Sequence, residues 1–423
     1  MDQREKVSAM TDDSLDPALR REVEAQMREL RRGAVQILSE AELAARIADS
    51  IRQSRPLRVK LGVDPTAHDL HLGFTLPLTK LRRFCDLGHL PVLIIGDATA
   101  MVGDPAGRNK GRPQLGRDEV EAYAASYLRQ VEKILDLDKV EVRRNGEWLD
   151  SLGFQGFIKL ASKSTVARML ERDDFAKRFA GGVPIHIHEF IYPLMQGYDS
   201  VVVRADVEIG GQDQLFNLLM GRDLQADAGQ APQICMMGPL LRGLDGEKKM
   251  SKSFGNAIGI SESPTSMFGK VMSIPDEMME EWYQLLTMAP LEEIDATLRS
   301  GRHPRELKDE LARRIVARFH DAAAAHAASD EFRRVFSEKQ LPDEIPEFAV
   351  AAADLEDGAS WVVRLVVASG CAPSQAEARR LVRQGAVSLD GVVVTDEQAR
   401  LAVTNGAVLK VGKRRFVRLV RRG

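Results

Sequence analysis

The chain has 423 residues, a formal charge of −3 and 44% hydrophobic residues, which fits a soluble globular protein of two or three domains. No apolar run reaches the ~20 residues of a membrane-spanning helix, and the charged N-terminus lacks an apolar signal core, so we expect no membrane association. Three widely spaced cysteines, Cys85, Cys235 and Cys371, argue against a disulfide framework or a structural zinc site and fit a reducing, cytoplasmic compartment.

Residues 1–55 read as an N-terminal helical leader. Leu19, Val23, Met27 and Leu30 share one helical face, and Ser39 to Glu42 has the form of a helix cap. Arg58–Gly62 reads as a strand, Val63–Thr66 as a turn and His71–Leu87 as a helix. Pro91–Gly96 is a continuous apolar run, as in a strand buried on both faces. Ser200–Ala205 and Gln233–Met237 read as two further strands. This alternation predicts an α/β fold over 56–260: a doubly wound, Rossmann-type parallel sheet with a connective insertion.

An all-α domain is expected over 261–336, with helices at Asp276–Leu286, Leu291–Leu298 and Glu306 to about Ala324. Residues 337–348, with Pro342, Pro346 and several acidic side chains, read as a linker. A small α+β module fills 349–423, with helices at Trp361–Ala368 and Ser374–Gln384 and turns at Asp390-Gly391 and Asn405-Gly406. Charge is uneven along the chain. Trp361 to Gly423 holds twelve Lys/Arg against four Asp/Glu, so the other 360 residues carry −11. A basic end on an acidic body points to a polyanionic partner.

The strongest chemical signal is Lys249-Met250-Ser251-Lys252-Ser253, flanked by Gly243, Gly246 and Gly255. A flexible cationic loop suits a departing polyphosphate, whose charge grows as the bond breaks; taken alone it also fits a solvated basic turn. Far upstream, Asp64 to Phe74 lies at a strand-to-helix crossing, where ligands of open α/β sheets bind. Thr66 offers a hydroxyl there, His71 a ring at the helix start, and Gly73 room for a nucleotide.

Together the two stretches resemble the HIGH and KMSKS elements of class I aminoacyl-tRNA synthetases. The resemblance implies catalytic roles for Thr66, His71, Lys249 and Lys252, and ATP contacts from Gly62, Asp64, Gly73, Met250 and Ser251. Phe74 stands where the family usually has a second histidine. Losing one such donor can cost ~2–4 kcal/mol.

Tyr192 and Gln196 fall one helical turn apart, with Asp199 at the next turn. Downstream lies Ile209 to Asn217, a glycine pair followed by polar residues. Both stretches resemble the tyrosyl-tRNA synthetases. By that resemblance Asp104, Tyr192, Gln196 and Gln214 bind the ammonium and carboxylate of tyrosine, Asp199 accepts the phenol proton, and Gly210, Gly211 and Asp213 contact ribose. A buried carboxylate left unpaired by phenylalanine can reject it ~10⁴–10⁵-fold. Lys60 stands where many members place a tyrosine that also reads the hydroxyl, so the second phenol contact is unidentified.

The implied reaction joins tyrosine to ATP, carrying its Mg2+, as tyrosyl-adenylate, then passes tyrosine to the tRNA 3′ end. No protein-bound metal is expected, and the resemblance implies a homodimer.

At the C-terminus Lys410, Lys413, Arg414, Arg415, Arg418, Arg421 and Arg422 fall in a stretch without an acid. With the helix before it, this region resembles the RNA-binding fold of ribosomal protein four of the small subunit. Arg379, Arg380, Arg383, Lys413, Arg414 and Arg415 are the implied tRNA contacts. Two rivals stand beside this reading. A tryptophanyl enzyme is opposed by Asp199 and the C-terminal module; a synthetase-derived RNA-binding protein without catalysis is favoured only by Phe74.

Overall fold

A computed structural model describes residues 16–66, 68–105, 115–336, 345–351, 354–412 and 415–421. It divides into two units, Met1–Ala325 and His326–Gly423.

The first unit is built on six strands: β1 (Gln36–Leu38), β2 (Arg58–Val63), β3 (Leu90–Ile95), β4 (Glu141–Arg144), β5 (Val207–Gly211) and β6 (Ile234–Gly238). Their order is β1-β6-β5-β2-β3-β4. β1 runs antiparallel to β6, with Ile37 opposite Met236, and the other neighbours are parallel. Val59, Leu61, Val92, Ile94, Val207, Ile209 and Ile234 are buried, as expected for strands covered by helices on both faces. The chain moves outward from β2 through β3 to β4, then returns to the other side of β2 for β5 and β6. The order therefore reverses between β2 and β5, the switch point at which open α/β sheets form a ligand crevice beyond the carboxyl ends of their strands.

One predicted strand is corrected. Ser200–Ala205 does not form a strand; Ser200 to Val203 are the last turn of a helix over Ile187–Val203, which ends at Arg204 with φ of 50°. β5, at Val207–Gly211, is the strand of this region. The valine run has strand propensity, but close packing against the helix Leu215–Asp227 overrides it. A Cβ at Gly197 would lie 3.0 Å from Leu224 Cδ1 and 3.1 Å from the Gly221 nitrogen, so glycine eases this close approach.

In the helical region the predicted Asp276–Leu286 segment is a 3₁₀ turn (Asp276–Met278) followed by a helix over Met279–Leu286. Leu291–Leu298 is helical as expected. The long helix predicted from Glu306 is two helices, Pro304–Phe319 and Ala322–Phe336, broken where His320 leaves helical backbone (φ −125°, ψ −106°). Trp282, Tyr283, Leu286, Leu311 and Ile315 form its interior. Arg318 donates to the Leu286 carbonyl at 2.8 Å and also to Thr79, tying these helices to the helix Leu72–Asp86.

In the second unit a five-stranded sheet has the order β10-β9-β12-β13-β7, and β8 pairs with β11. The strands are β7 (Glu347–Val350), β8 (Ala359–Trp361), β9 (Val387–Leu389), β10 (Val392–Val394), β11 (Arg400–Ala402), β12 (Val408–Val411) and β13 (Arg415–Arg421). β7 pairs parallel to β13, Phe348 beside Leu419, so the end of the predicted linker is a strand; residues 337–344 lie outside the described residues. Asp390 (φ 46°) and Gly391 (φ 84°) join β9 to β10 in the doubly left-handed turn that suits a two-residue hairpin. Helices Val362–Ala368 and Gln375–Arg383 pack Val363, Val366, Ala378 and Val382 against Leu409 and Leu419.

Candidate active site

The crossing after β2 sets one wall of the crevice. The helix Leu72–Asp86 begins with His71 as its cap, and His71 Nδ1 accepts from the Gly73 nitrogen at 3.2 Å. A Cβ on Gly73 would come to 3.0 Å from that ring, so any larger residue would press on the imidazole. An accepting Nδ1 leaves the proton on Nε2. Burial, and then the nearby Lys252 ammonium, pull the His71 pKa down to about 4, so the ring is a neutral donor near pH 7. Phe74 is 40% exposed, and its ring centroid lies 4.6 Å from that of His71. Thr66 is half-buried in the loop after β2, and the Cβ position of Gly62 meets open space.

The lysine loop closes onto this wall. The Leu72 nitrogen donates to the Ile258 carbonyl at 2.9 Å, and the Ile260 nitrogen to Leu70 at 3.0 Å. Lys252 Nζ stands 3.4 Å from Asp69, and Lys249 Nζ 3.5 Å from Asp213 beyond β5. Asn256 pins the loop. Its Oδ1 accepts from the Ser251 nitrogen at 2.8 Å, and its Nδ2 donates to Asp245 at 2.8 Å and to the Lys249 carbonyl at 3.2 Å. Met250 is only 5% exposed; its nitrogen donates to the Leu241 carbonyl at 2.7 Å. At Gly211 a Cβ would press to 2.7 Å from Asp213 Oδ1, and at Gly210 to 3.0 Å from Leu218. Beside Asp213 opens a cavity of about 940 Å³ whose walls include Arg168, Arg172, Lys177 and Phe216.

Between these walls the predicted tyrosine residues meet in a hydrogen-bonded network. Gln214 Nε2 donates to Asp104 Oδ2 at 2.7 Å. Asn217 Nδ2 donates to both Gln214 Oε1 and Gln196 Oε1 at 2.9 Å. Gln196 Nε2 donates to Glu208 at 3.1 Å. Tyr192 Oη donates to Asp64 Oδ2 at 2.8 Å, and Thr99 Oγ1 to Asp64 Oδ1 at 2.8 Å. Burial and the neighbouring Asp64 and Asp104 push the Tyr192 phenol well above its ordinary range, so it stays protonated.

Asp199 is 3% exposed. Its oxygens accept from Trp148 Nε1 at 2.8 Å and Asn145 Nδ2 at 3.2 Å. Burial drives its pKa up to about 7 against the opposing pull of Lys60, Trp148 and Asn145. Asn145 Nδ2 also donates to Thr99 at 3.0 Å, so Asp199, Asn145, Thr99, Asp64 and Tyr192 form one chain. Lys60 is fully buried and paired with Glu208 at 3.0 Å.

Sequence reasoning missed Thr99, Asn145, Trp148, Arg172, Glu208 and Asn217. Only Asn217 left a local signal, three residues after Gln214 and on the same helical turn. Arg172 is buried against Asp104 at 3.4 Å and Asp174 at 2.8 Å and donates to Asn217 at 3.1 Å.

In the second unit Arg380 is exposed and pairs with Glu377 at 2.6 Å, and Arg383 with Glu397 at 3.3 Å. Arg379 lies over the Trp361 ring at 5.5 Å. Exposed Arg415 donates to the Cys371 carbonyl. Lys413, Arg414 and Arg422 lie outside the described residues.

A mostly parallel sheet of reversed order, with the histidine crossing and the lysine loop brought together, has the architecture of a class I synthetase that activates an amino acid with a nucleotide. Residues 52–337 match the family described as tRNA synthetases class I (W and Y), and 360–405 match the S4 domain. The chain belongs to that class I family and carries a C-terminal S4 domain. It is 53% identical to the tyrosine–tRNA ligase of Moorella thermoacetica, over 95% of this chain and 97% of that protein. It is 52% identical to the tyrosine–tRNA ligase of Symbiobacterium thermophilum, over 94% and 98%, and 52% identical to tyrosine–tRNA ligase 2 of Vibrio parahaemolyticus, over 94% and 98%. Among solved structures, a C-terminally truncated mitochondrial tyrosyl-tRNA synthetase of Aspergillus nidulans superposes with a TM-score of 0.61 at 22% identity, covering 78% of this chain and 97% of that one. That likeness shows the fold.

Proposed function

We propose that the chain is a tyrosine–tRNA ligase in which one crevice performs both steps. The observation that carries this reading is convergence: Lys252 stands beside Asp69, Lys249 beside Asp213, and the buried Asp199 is joined through Asn145 and Thr99 to Asp64 at the end of β2.

Tyrosine lies with its phenol against Asp199 and its ammonium and carboxylate among Asp104, Tyr192, Gln196 and Gln214. ATP enters with its magnesium ion as substrate. Gly62, Gly73, Gly210, Gly211 and Asp213 border its adenosine half, and Thr66, His71, Met250 and Ser251 flank the phosphates. The tyrosine carboxylate attacks the α-phosphorus, the new O–P bond forms, and pyrophosphate leaves with the electron pair. His71 donates through Nε2 without needing a proton from solvent, and Lys249 and Lys252 neutralise the growing charge. Phe74 contributes no donor; its contact with His71 braces the ring. The terminal ribose of tRNA then attacks the carbonyl of the adenylate, releasing AMP. The cavity beside Asp213 gives room for that terminal nucleotide.

Arg380, Arg383 and Arg415, all exposed, with Arg379, Lys413 and Arg414, make the second unit the tRNA dock. The exposed apolar residues Phe154, Ile158, Val166, Phe179, Val183 and Ile187 concentrate between β4 and β5, which supports a homodimer whose second copy covers them. Free Cys85, Cys235 and Cys371 fit a cytoplasmic setting. Among the described residues no helix is long and apolar enough to cross a membrane.

Pyrophosphate exchange into ATP tests the substrate. Exchange that depends on tyrosine is expected. Exchange on tryptophan alone, or on no amino acid, overturns the assignment.

A further inference from the structure

Lys60 and Glu208 are register partners on the parallel strands β2 and β5. Their side chains are 0% and 1% exposed and meet at 3.0 Å. Lys60 Nζ also donates to the Gln196 carbonyl at 2.8 Å and to Ser200 Oγ at 2.7 Å, so all three ammonium donors are used. Glu208 accepts in turn from Gln196 Nε2 at 3.1 Å, Ser200 Oγ at 3.1 Å and Gln233 Nε2. The pair thus grips Gln196 and Ser200, the two residues that bracket Asp199 on the floor-forming helix.

Stability does not require such a pair. Two well-packed apolar residues of similar volume often serve as well or better, because burying two charges is costly. The pair stands where the two halves of the amino-acid site join. Through Gln196 it leads to Asn217, Gln214 and Asp104. Through Ser200 it leads to the neighbouring Asp199.

We propose that Lys60, held by Glu208 beneath the pocket, is a specificity-determining positioning residue: its ammonium fixes the helix face carrying Gln196 and Asp199, and so sets the discrimination of tyrosine from phenylalanine. This rests on the tyrosine-activating reading above. Lys60 touches no substrate in it; it replaces a direct hydroxyl contact by control of the residue that makes one. Its charge also favours the ionised form of Asp199, the strong acceptor for a phenol. The groups facing Asp199 are Lys60 on β2, Glu208 on β5, Trp148 and Asn145 after β4, and Tyr192 on its own helix, with Asp64 reached through Asn145 and Thr99.

The test compares wild type with Lys60→Met and with the double variant Lys60→Met/Glu208→Gln. The double variant removes both charges, so no buried charge is stranded if the single variant fails to fold. Pyrophosphate exchange is measured with tyrosine and with phenylalanine from pH 5 to 9, and circular dichroism and melting report the fold. For the folded double variant we expect KM for tyrosine to rise about tenfold, kcat to change less than about threefold, and the tyrosine-to-phenylalanine ratio to fall about tenfold. The acid limb of the tyrosine profile should move to higher pH, because Lys60 outweighs Glu208 among the influences on Asp199. A folded double variant with wild-type KM, ratio and acid limb overturns the proposal, whatever its melting temperature. If wild type itself shows no tyrosine-dependent exchange, the assignment of function falls, and the proposal with it.

Discussion

Asp199→Asn should lower specificity, and its effect on stability should change with pH, from a loss near pH 5 towards a relative gain near pH 8. Burial moves this carboxyl from 3.8 to about 7 in the folded chain. At about 1.4 kcal/mol per pH unit, that displacement is about 4 kcal/mol. Below 3.8 folded and unfolded chains both hold the proton. Between 3.8 and about 7 the folded chain binds more proton, so this group's stabilising contribution is lost as pH rises. From pH 5 to pH 8 the loss is about 3 kcal/mol. Asparagine has no such loss. It carries a fixed penalty instead, because its amide nitrogen must face either Trp148 Nε1–H or Asn145 Nδ2–H, where the carboxylate accepts from both. One lost partner in a buried site costs ~1–3 kcal/mol at every pH. Relative to wild type, the variant's melting temperature should therefore climb by roughly 3–4 °C between pH 5 and pH 8. Tyrosine kcat/KM in the exchange assay should fall ~10–100-fold, the worth of a hydrogen bond to a charged group, and the preference over phenylalanine should shrink. A melting difference that stays flat across this window, or an unchanged tyrosine-to-phenylalanine ratio, refutes the role given to this carboxylate.

Lys252→Ala should slow adenylate formation by ~10²-fold or more and leave tyrosine affinity intact; a normal burst of adenylate rules out its phosphate role. Gly96→Ala puts a Cβ 2.1 Å from Asp64 Oδ1 and 2.3 Å from Thr99 Oγ1, so it should cost about 1–3 kcal/mol and raise the tyrosine KM by loosening the Tyr192–Asp64 bond. Wild-type melting and KM would show that the packing there tolerates a methyl. Ending the chain at Phe336 should weaken tRNA binding and flatten its salt dependence while exchange with tyrosine survives. Unchanged affinity at moderate salt removes the second unit as the dock.

What the sequence made legible was whatever local pattern encodes. The apolar run of β3, the glycines around Lys249 and Lys252, and the spacing of Tyr192, Gln196 and Asp199 each carry their meaning within a few residues. The crossing at Asp64 to Phe74 was readable because strand, turn and helix follow without interruption. The partners that hold these residues were not readable. Asn145 reaches Asp199 across 54 positions and Lys60 reaches Ser200 across 140, separations at which periodicity carries no information. The Ser200–Ala205 error has the same root, because only the neighbouring helix reveals that Val201–Val203 is helical. The contact of Arg379 with the Trp361 ring was equally illegible, because the cluster of arginines shows their charge and not the aromatic partner 18 positions upstream.

β2 is the element through which these parts act as one site. Side chains alternate along a strand, so Val59 and Leu61 enter one layer of the core while Lys60 enters the other, beneath the helix Ile187–Val203. The same strand then delivers Asp64, which takes Thr99 on one oxygen and Tyr192 on the other. A register slip of one residue would exchange Lys60 for an apolar neighbour, strand Glu208 without its cation and turn Asp64 away from Tyr192. On the proposed function, phenol recognition and phosphate chemistry therefore cannot be retuned independently at this strand. A change that eases the buried charge at Lys60 is felt at Gln196 through its carbonyl, and at Asp199 through the field, before any substrate arrives.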